Sequence, residues 1–129
     1  MALLGLLLVA IGVAAMVAPG FAAASYGVDA TFSAHAFVRA AGARDVAIGA
    51  LLLVLLARRV DTTTLGIVVL VTTLVPIVDS VIVLQASGLR LAVVIHAGSI
   101  LPILILAMTL IGVRDAPEGK TSITNGVLK

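Results

Sequence analysis

Residues 42–84 decide the fold: GARDVAIGALLLVLLARRVDTTTLGIVVLVTTLVPIVDSVIVL. Two apolar runs in this stretch are separated only by Arg58-Arg59-Val60-Asp61, which leaves room for a turn and predicts two antiparallel helices. The second run is rich in Val, Ile and Thr, which favour strands in water. In lipid a helix is favoured instead, because its backbone groups are bonded within one segment. Asp61, directly before Thr62-Thr63-Thr64, is predicted to cap the second helix.

The whole chain has the same apolar character. Of its 129 residues, 62% are hydrophobic and 11% are charged, whereas about a quarter of the residues in an ordinary soluble domain are charged. This composition predicts contact with lipid, and at roughly 20 residues per span the chain can hold four spans. We therefore predict an all-α, integral membrane four-helix bundle. Its transmembrane domain is residues 1–114, with spans at about 2–18, 34–58, 62–85 and 91–113, and the polar tail 115–129 is expected to be disordered.

The first apolar run has a second interpretation as a signal peptide, because Ala22-Ala23-Ala24 resembles a cleavage site. A signal peptide normally begins with a positive segment, and Met1-Ala2-Leu3-Leu4 carries no Lys or Arg. We therefore interpret the run as a retained span. Gly5, Gly12 and Ala15 lie near one face of this helix, a spacing typical of close helix packing in lipid.

The basic residues predict an orientation. Short turns at 59–61 and 86–90 make neighbouring spans antiparallel, which places one group of basic residues on one side of the membrane and Arg90 on the other. That group is Arg58, Arg59, Arg114 and Lys120. Because cytoplasmic loops carry an excess of Lys and Arg, we predict that both termini are cytoplasmic and that the connection 19–33 faces outward.

The outward connection carries polar residues of its own. Tyr26 and Asp29 lie in it, Ser33 is predicted to cap the next span, and His35 follows near the start of that span. These residues fit ordinary interfacial polarity. Alternatively, residues 19–33 form a lid over a site deeper in the bundle.

Charged and titratable residues within the spans are the most informative feature, because such residues are rare there and costly to insert. They are Arg39, Arg44, Asp45, Asp79 and His96. From the helical rise of about 1.5 Å per residue, three separate spans bring such residues to similar height in the outer half of the bundle. The simplest pairing joins Arg44 to Asp79 and leaves Asp45 near His96 or Arg39.

The surrounding residues add two expectations. Gly42 and Gly49 flank Asp45, so a neighbouring helix can approach on that face. Pro76 removes a backbone donor and is expected to open the third span beside Asp79, on the face that Asp79 shares with Thr72.

Several classes of function find no support in the sequence. There is no Cys, and the three Phe and one Tyr with no basic run argue against nucleic-acid binding. No phosphate-binding glycine loop, paired-His zinc motif or nucleophile elbow is present, so no metal or cofactor is expected. The expected partners are membrane lipid, a small lipophilic ligand and, for transport, a second copy of the chain.

The elements Gly42-Ala43-Arg44-Asp45 with Gly49, and Val75-Pro76-Ile77-Val78-Asp79, follow Pro19-Gly20-Phe21 and Tyr26-Gly27-Val28 in the chain. In this order and spacing they resemble the small four-helix membrane proteins known as domain of unknown function 4267, over residues 5–113. The resemblance implies a four-helix bundle in which Arg44, Asp45 and Asp79 belong to the family pattern. It implies no substrate or reaction, and His96 matches no family motif.

Three functional hypotheses follow. In the leading one the bundle binds, and converts by acid–base chemistry, a small lipophilic molecule. Asp79 or Asp45 would be the base, His96 the proton partner and Arg44 the cation that stabilises developing charge. Alternatively, the same residues form the relay of a proton-coupled transporter, or they hold together a non-catalytic membrane subunit.

Overall fold

The computed structural model describes residues 1–25, 31–88 and 91–113. Over these ranges the chain is helical with no strand, so the expected all-α class is confirmed there. The helices are α1 (Ala2–Val17), α2 (Pro19–Ser25), α3 (Phe32–Ala57), α4 (Thr62–Thr72), α5 (Leu74–Ser87) and α6 (Leu91–Gly112). The predictions for Tyr26, Asp29, Arg90, Arg114, Lys120 and the tail 115–129 lie outside the described residues.

Helices α1 and α3 form an antiparallel pair whose backbones touch. A Cβ on Gly42 would lie 2.6 Å from the carbonyl oxygen of Gly12, and a Cβ on Gly49 would lie 2.6 Å from that of Gly5. Each helix therefore needs glycine twice, seven residues apart, at the positions where its partner crosses closest. The close approach expected beside Gly5, Gly12 and Ala15 is confirmed, since all three are buried.

A second antiparallel pair is made by α4 and α6. Gly66 on α4 lies against Ile111 and the carbonyl oxygen of Ala107 on α6, and the hydroxyl of Thr62 donates to the carbonyl of Val113 over 3.3 Å. The two pairs share a core of fully buried side chains. That core centres on Leu52, Val69 and Ala107.

The connection predicted at 19–33 is partly helical, because Pro19–Ser25 forms α2. Pro19 stands at the first helical position, where its missing N–H is not needed. The prediction that Ser33 caps the next helix is wrong. Thr31 caps α3 instead, and its hydroxyl oxygen accepts from the N–H of Ala34 over 3.2 Å. Thr31 has an extended backbone, whereas Ser33 already lies within the helix.

The turn between α3 and α4 agrees with the sequence. Arg59 adopts a positive φ of 52°, which ends the helical path. The predicted cap is confirmed, because the carboxylate of Asp61 accepts from both the N–H and the hydroxyl of Thr64, over 2.8 and 2.7 Å.

The predicted third span is interrupted between α4 and α5, at Thr73. Pro76 supplies no N–H to the carbonyl of Thr72, and its ring crowds that carbonyl. The hydroxyls of Thr72 and Thr73 both donate to the carbonyl of Val69, over 2.8 and 3.0 Å, a type of bond that bends helices. The helix is therefore interrupted near Pro76, at a point six residues before Asp79.

Two helical stretches are long and apolar enough to cross a membrane. They are Phe32–Ala57, with 26 residues, and Thr62–Gln85, with 24, which takes α4 and most of α5 together. Ala2–Val17 and His96–Gly112 are apolar but shorter. Length and composition thus single out two candidate spans among the described residues.

Candidate functional site

A cavity of about 520 Å³ lies between the α1–α3 pair and the helices α4, α5 and α6. Its wall is predominantly apolar. The apolar residues that line it are Leu4, Leu7, Leu8, Ile11, Ile48, Val75, Pro76, Pro102, Ile103 and Leu106. The polar residues are Asp45, Thr72, Asp79, His96 and Ser99. Three of the four side chains that the sequence analysis proposed as a site, Asp45, Asp79 and His96, therefore share one wall.

The fourth, Arg44, joins two of these helices. Its guanidinium donates to both carboxylate oxygens of Asp79, from Nη1 to Oδ1 over 3.0 Å and from Nη2 to Oδ2 over 2.7 Å. The expected pairing of Arg44 with Asp79 is thus present as a two-pronged ion pair between α3 and α5. Such forked geometry fixes orientation as well as attraction.

Arg44 also bonds its neighbour in sequence, Asp45. Its Nε and Nη2 both donate to Oδ1 of Asp45 over 3.3 Å. Adjacent residues on a helix point about 100° apart, but the long arginine side chain bends back far enough to reach both carboxylates. Oδ2 of Asp45 stays outside this ion pair.

The three charged groups differ in surroundings. Asp45 and Asp79 are buried, with 9% and 8% of their surfaces exposed. The Arg44 side chain is 34% exposed and is not part of the cavity wall. The two carboxylates therefore line the cavity, and the guanidinium binds them on the side away from it.

The two hydroxyls in the wall are engaged with the backbone. Thr72 donates to the carbonyl of Val69 over 2.8 Å, and Ser99 donates to the carbonyl of His96 over 2.7 Å. Each hydroxyl has one hydrogen and two lone pairs, so both oxygens can still accept. Ser99 is the polar wall residue that the sequence analysis missed, although its position three residues after His96 puts both on one helical face.

Two other residues considered from the sequence lie elsewhere. Arg39 is exposed on α3, and Asp45 pairs with Arg44 instead of with it. The Nε2 of His35 lies 3.5 Å from where a Cβ on Gly20 would be. That nitrogen is buried without a hydrogen-bond partner in the described part of the chain. Neither residue lines the cavity.

Residues 1–25, 31–88 and 91–113 contain no group of three or more His, Asp or Glu side chains arranged to hold a metal ion.

The fold and site together define an all-α protein with an apolar cavity that ends at a buried Arg–Asp pair. More specifically, the chain belongs to the DUF4267 family, described as a domain of unknown function, whose model matches residues 5–116. This confirms the family to which the sequence elements pointed. Neither curated proteins nor solved structures give a match.

Proposed function

We propose that the chain is a multi-pass integral membrane protein with four spans, made by α1, α3, α4 with α5, and α6. The two long apolar helices support this proposal, as do large apolar side chains on the outside of the other elements. Examples are Leu3, which is 79% exposed, and Leu101, which is 63% exposed. In water such an apolar surface would be unfavourable, whereas in a bilayer it is in contact with the lipid chains.

Cysteine labelling tests the spans and the orientation, because the chain has no cysteine of its own. With both termini cytoplasmic, Thr63→Cys should react with a membrane-impermeant maleimide only after lysis, and Gln85→Cys should react in intact cells. Val71→Cys is the matched control, because Val71 is 59% exposed but lies in the middle of the proposed span. If Val71→Cys in native membranes labels as readily as Thr63→Cys after lysis, the proposed span is wrong.

Within this bundle, we propose that the cavity binds a small lipophilic molecule. The observation that carries the proposal is a space of about 520 Å³ with an apolar wall and two buried carboxylates at one end. Ligand pockets of small molecules fall in roughly the range 300–1,000 Å³ and combine apolar walls with a few polar groups.

Conversion of that molecule would use acid–base chemistry. The ion pair favours Asp45 over Asp79 as the base, because Arg44 bonds both oxygens of Asp79 but only Oδ1 of Asp45. His96, on the same wall, would be the proton partner. We assign to Arg44 the role of holding the two carboxylates close together, which lowers the electrostatic cost of their burial.

Binding can be tested with the neutral fluorophore N-phenyl-1-naphthylamine and protein in lipid nanodiscs. Leu106 lines the cavity, so Leu106→Trp should fill the space and lower saturable binding about tenfold or more. Ile105 is its neighbour and is 57% exposed, so Ile105→Trp should leave binding unchanged. Equal binding by wild type, both variants and empty nanodiscs would refute the proposed ligand site.

Substitution at Asp45 separates the rival functions. If Asp45→Asn folds but binds the fluorophore more weakly than the wild type, Asp45 belongs to a site. If it fails to fold while the Arg39→Gln control folds, the charges act as structural links between helices. A pH-driven flux of the fluorophore in liposomes that requires Asp45 would support transport over conversion.

A further inference from the structure

We infer that the cavity selects a lipophilic amine in its protonated form, with Asp45 as the counter-ion. This inference rests on the proposed function, a cavity that binds a small lipophilic molecule, and adds the chemical class of that molecule. It follows from the charge balance of the site and from the kind of hydrogen-bonding group that the wall presents.

The ion pair holds more carboxylates than cations. A single guanidinium, that of Arg44, binds the two carboxylates of Asp45 and Asp79, so Arg44 balances the charge of only one of them. A buried charge without compensation is costly, and more so in lipid than in water. A bound cation would remove this cost.

The position of the unbalanced charge is also defined. Both oxygens of Asp79 are bonded to Arg44, whereas both bonds to Asp45 end on Oδ1. Oδ2 of Asp45 is therefore the carboxylate oxygen to which Arg44 makes no bond. Asp45 is buried and lines the cavity, so a cation inside the cavity can contact its carboxylate directly.

The two hydroxyls of the polar wall accept hydrogen bonds. The hydroxyl hydrogens of Thr72 and Ser99 are directed to backbone carbonyls, which leaves their oxygens as acceptors. An ammonium group has only donors and suits such a wall. A carboxylate or phosphate ligand would meet like charges and acceptors, while the cation that could attract it, Arg44, stands outside the wall.

The same balance makes binding depend on pH. The charged and titratable groups around Asp45 are Arg44 on its own helix, Asp79 on α5 and His96 on α6, whereas α1 and α4 contribute apolar side chains and Thr72 to the wall. Protonation of Asp45 would remove the negative charge that binds the ammonium group. Protons therefore compete with the amine, and amine binding should weaken as the pH is lowered.

The test uses three probes with one apolar body and different heads: dodecylamine, dodecanol and dodecanoate. Each displaces N-phenyl-1-naphthylamine from wild-type protein in nanodiscs, and empty nanodiscs measure partition into the lipid. The amine should displace the fluorophore at a concentration roughly 10- to 100-fold lower than the alcohol, the range expected for a charge-assisted bond. Dodecanoate should be the weakest of the three.

Asp45→Asn should bring the amine to the level of the alcohol. Asp61→Asn is the matched control, because it removes a carboxylate that is exposed and outside the cavity; it should keep the preference for the amine. The ranking of the three probes on wild-type protein does not depend on the folding of any variant.

The outcomes separate the two proposals. Fluorophore binding with the alcohol or the dodecanoate as strong as the amine would overturn the selection of a cation and leave the ligand site intact. An amine preference that survives in a folded Asp45→Asn would overturn the role of Asp45. No saturable fluorophore binding at all would overturn the ligand site itself.

Discussion

Removal of Arg44 should be far more harmful than removal of Asp79. Arg44→Gln leaves two buried carboxylates with no cation, and breaking a buried pair from one side costs about 3–5 kcal/mol of unfolding free energy. Because the arginine side chain is one third exposed, at 34%, we expect the low end, about 3 kcal/mol. Asp79→Asn keeps an acceptor for the guanidinium and leaves Arg44 paired with Asp45, so it should cost about 1 kcal/mol.

The double variant completes the cycle. In the double variant only one carboxylate, that of Asp45, is left buried without a cation. The combined loss of unfolding free energy should therefore be smaller than the sum of the single losses by about 1–2 kcal/mol. Unfolding by sodium dodecyl sulfate in mixed micelles measures all four proteins. Arg39→Gln, an exposed arginine on the same helix, is the control and should change stability by less than about 0.5 kcal/mol. Losses that add within about 0.5 kcal/mol, or an Arg44 variant as stable as the Arg39 control, would refute the buried ion pair.

Three further predictions concern the helices. Gly42→Ala places a Cβ 2.6 Å from a backbone carbonyl oxygen of α1, so it should lower the unfolding free energy by about 1–3 kcal/mol in the same assay. Gly98→Ala is the control, because a Cβ there has nothing within 4 Å, and it should stabilise the protein by about 0.5–1 kcal/mol. Similar values for the two variants would contradict the close crossing of α1 and α3. The pKa of Asp61 is lowered by the bonds that it accepts from the backbone and hydroxyl three residues along, so its cap is fully formed above the usual Asp range and is lost only as the pH falls through the lowered pKa. Thermal melts of Asp61→Asn, which caps without a charge, should lack that acid-dependent step, and its persistence would assign the step to another group. Pro76→Ala restores an N–H for the carbonyl of Thr72, so spin-label distances across the break should approach those of a straight helix; unchanged distances would mean that the proline is not the cause.

Much of the fold follows from local rules in the sequence. The seven-residue spacing of Gly5 and Gly12 predicted a close helix contact, and Asp61 before a Thr run predicted a cap. Helix α2 was missed because Pro19-Gly20 resembles a turn, although proline is also common at the first position of a helix. The choice between Thr31 and Ser33 as a cap depends on the path by which the chain enters α3, which no local pattern specifies.

The candidate site was predictable in its residues but not in its arrangement. Charged residues at similar height on separate helices pointed to Arg44, Asp45 and Asp79. Two features depend on how the helix pairs are rotated relative to each other. One is which carboxylate accepts hydrogen bonds on both of its oxygens from the guanidinium, and the other is on which side of the ion pair the cavity lies. Sequence spacing does not contain that rotation, so it could not show that the cavity is lined by the two carboxylates and not by the guanidinium.

The glycine contacts between α1 and α3 also limit how the cavity can change shape. Sliding one helix along the other would drive a Cβ or a bulky side chain into a backbone carbonyl, so these two helices move as one piece. The opposite wall carries a proline on each of its two main helices, Pro76 on α5 and Pro102 on α6, and each leaves a gap in the backbone hydrogen bonds. The wall with Asp45 is therefore the more rigid of the two, and the proposed ligand would enter or leave by bending of the proline-containing helices that face it.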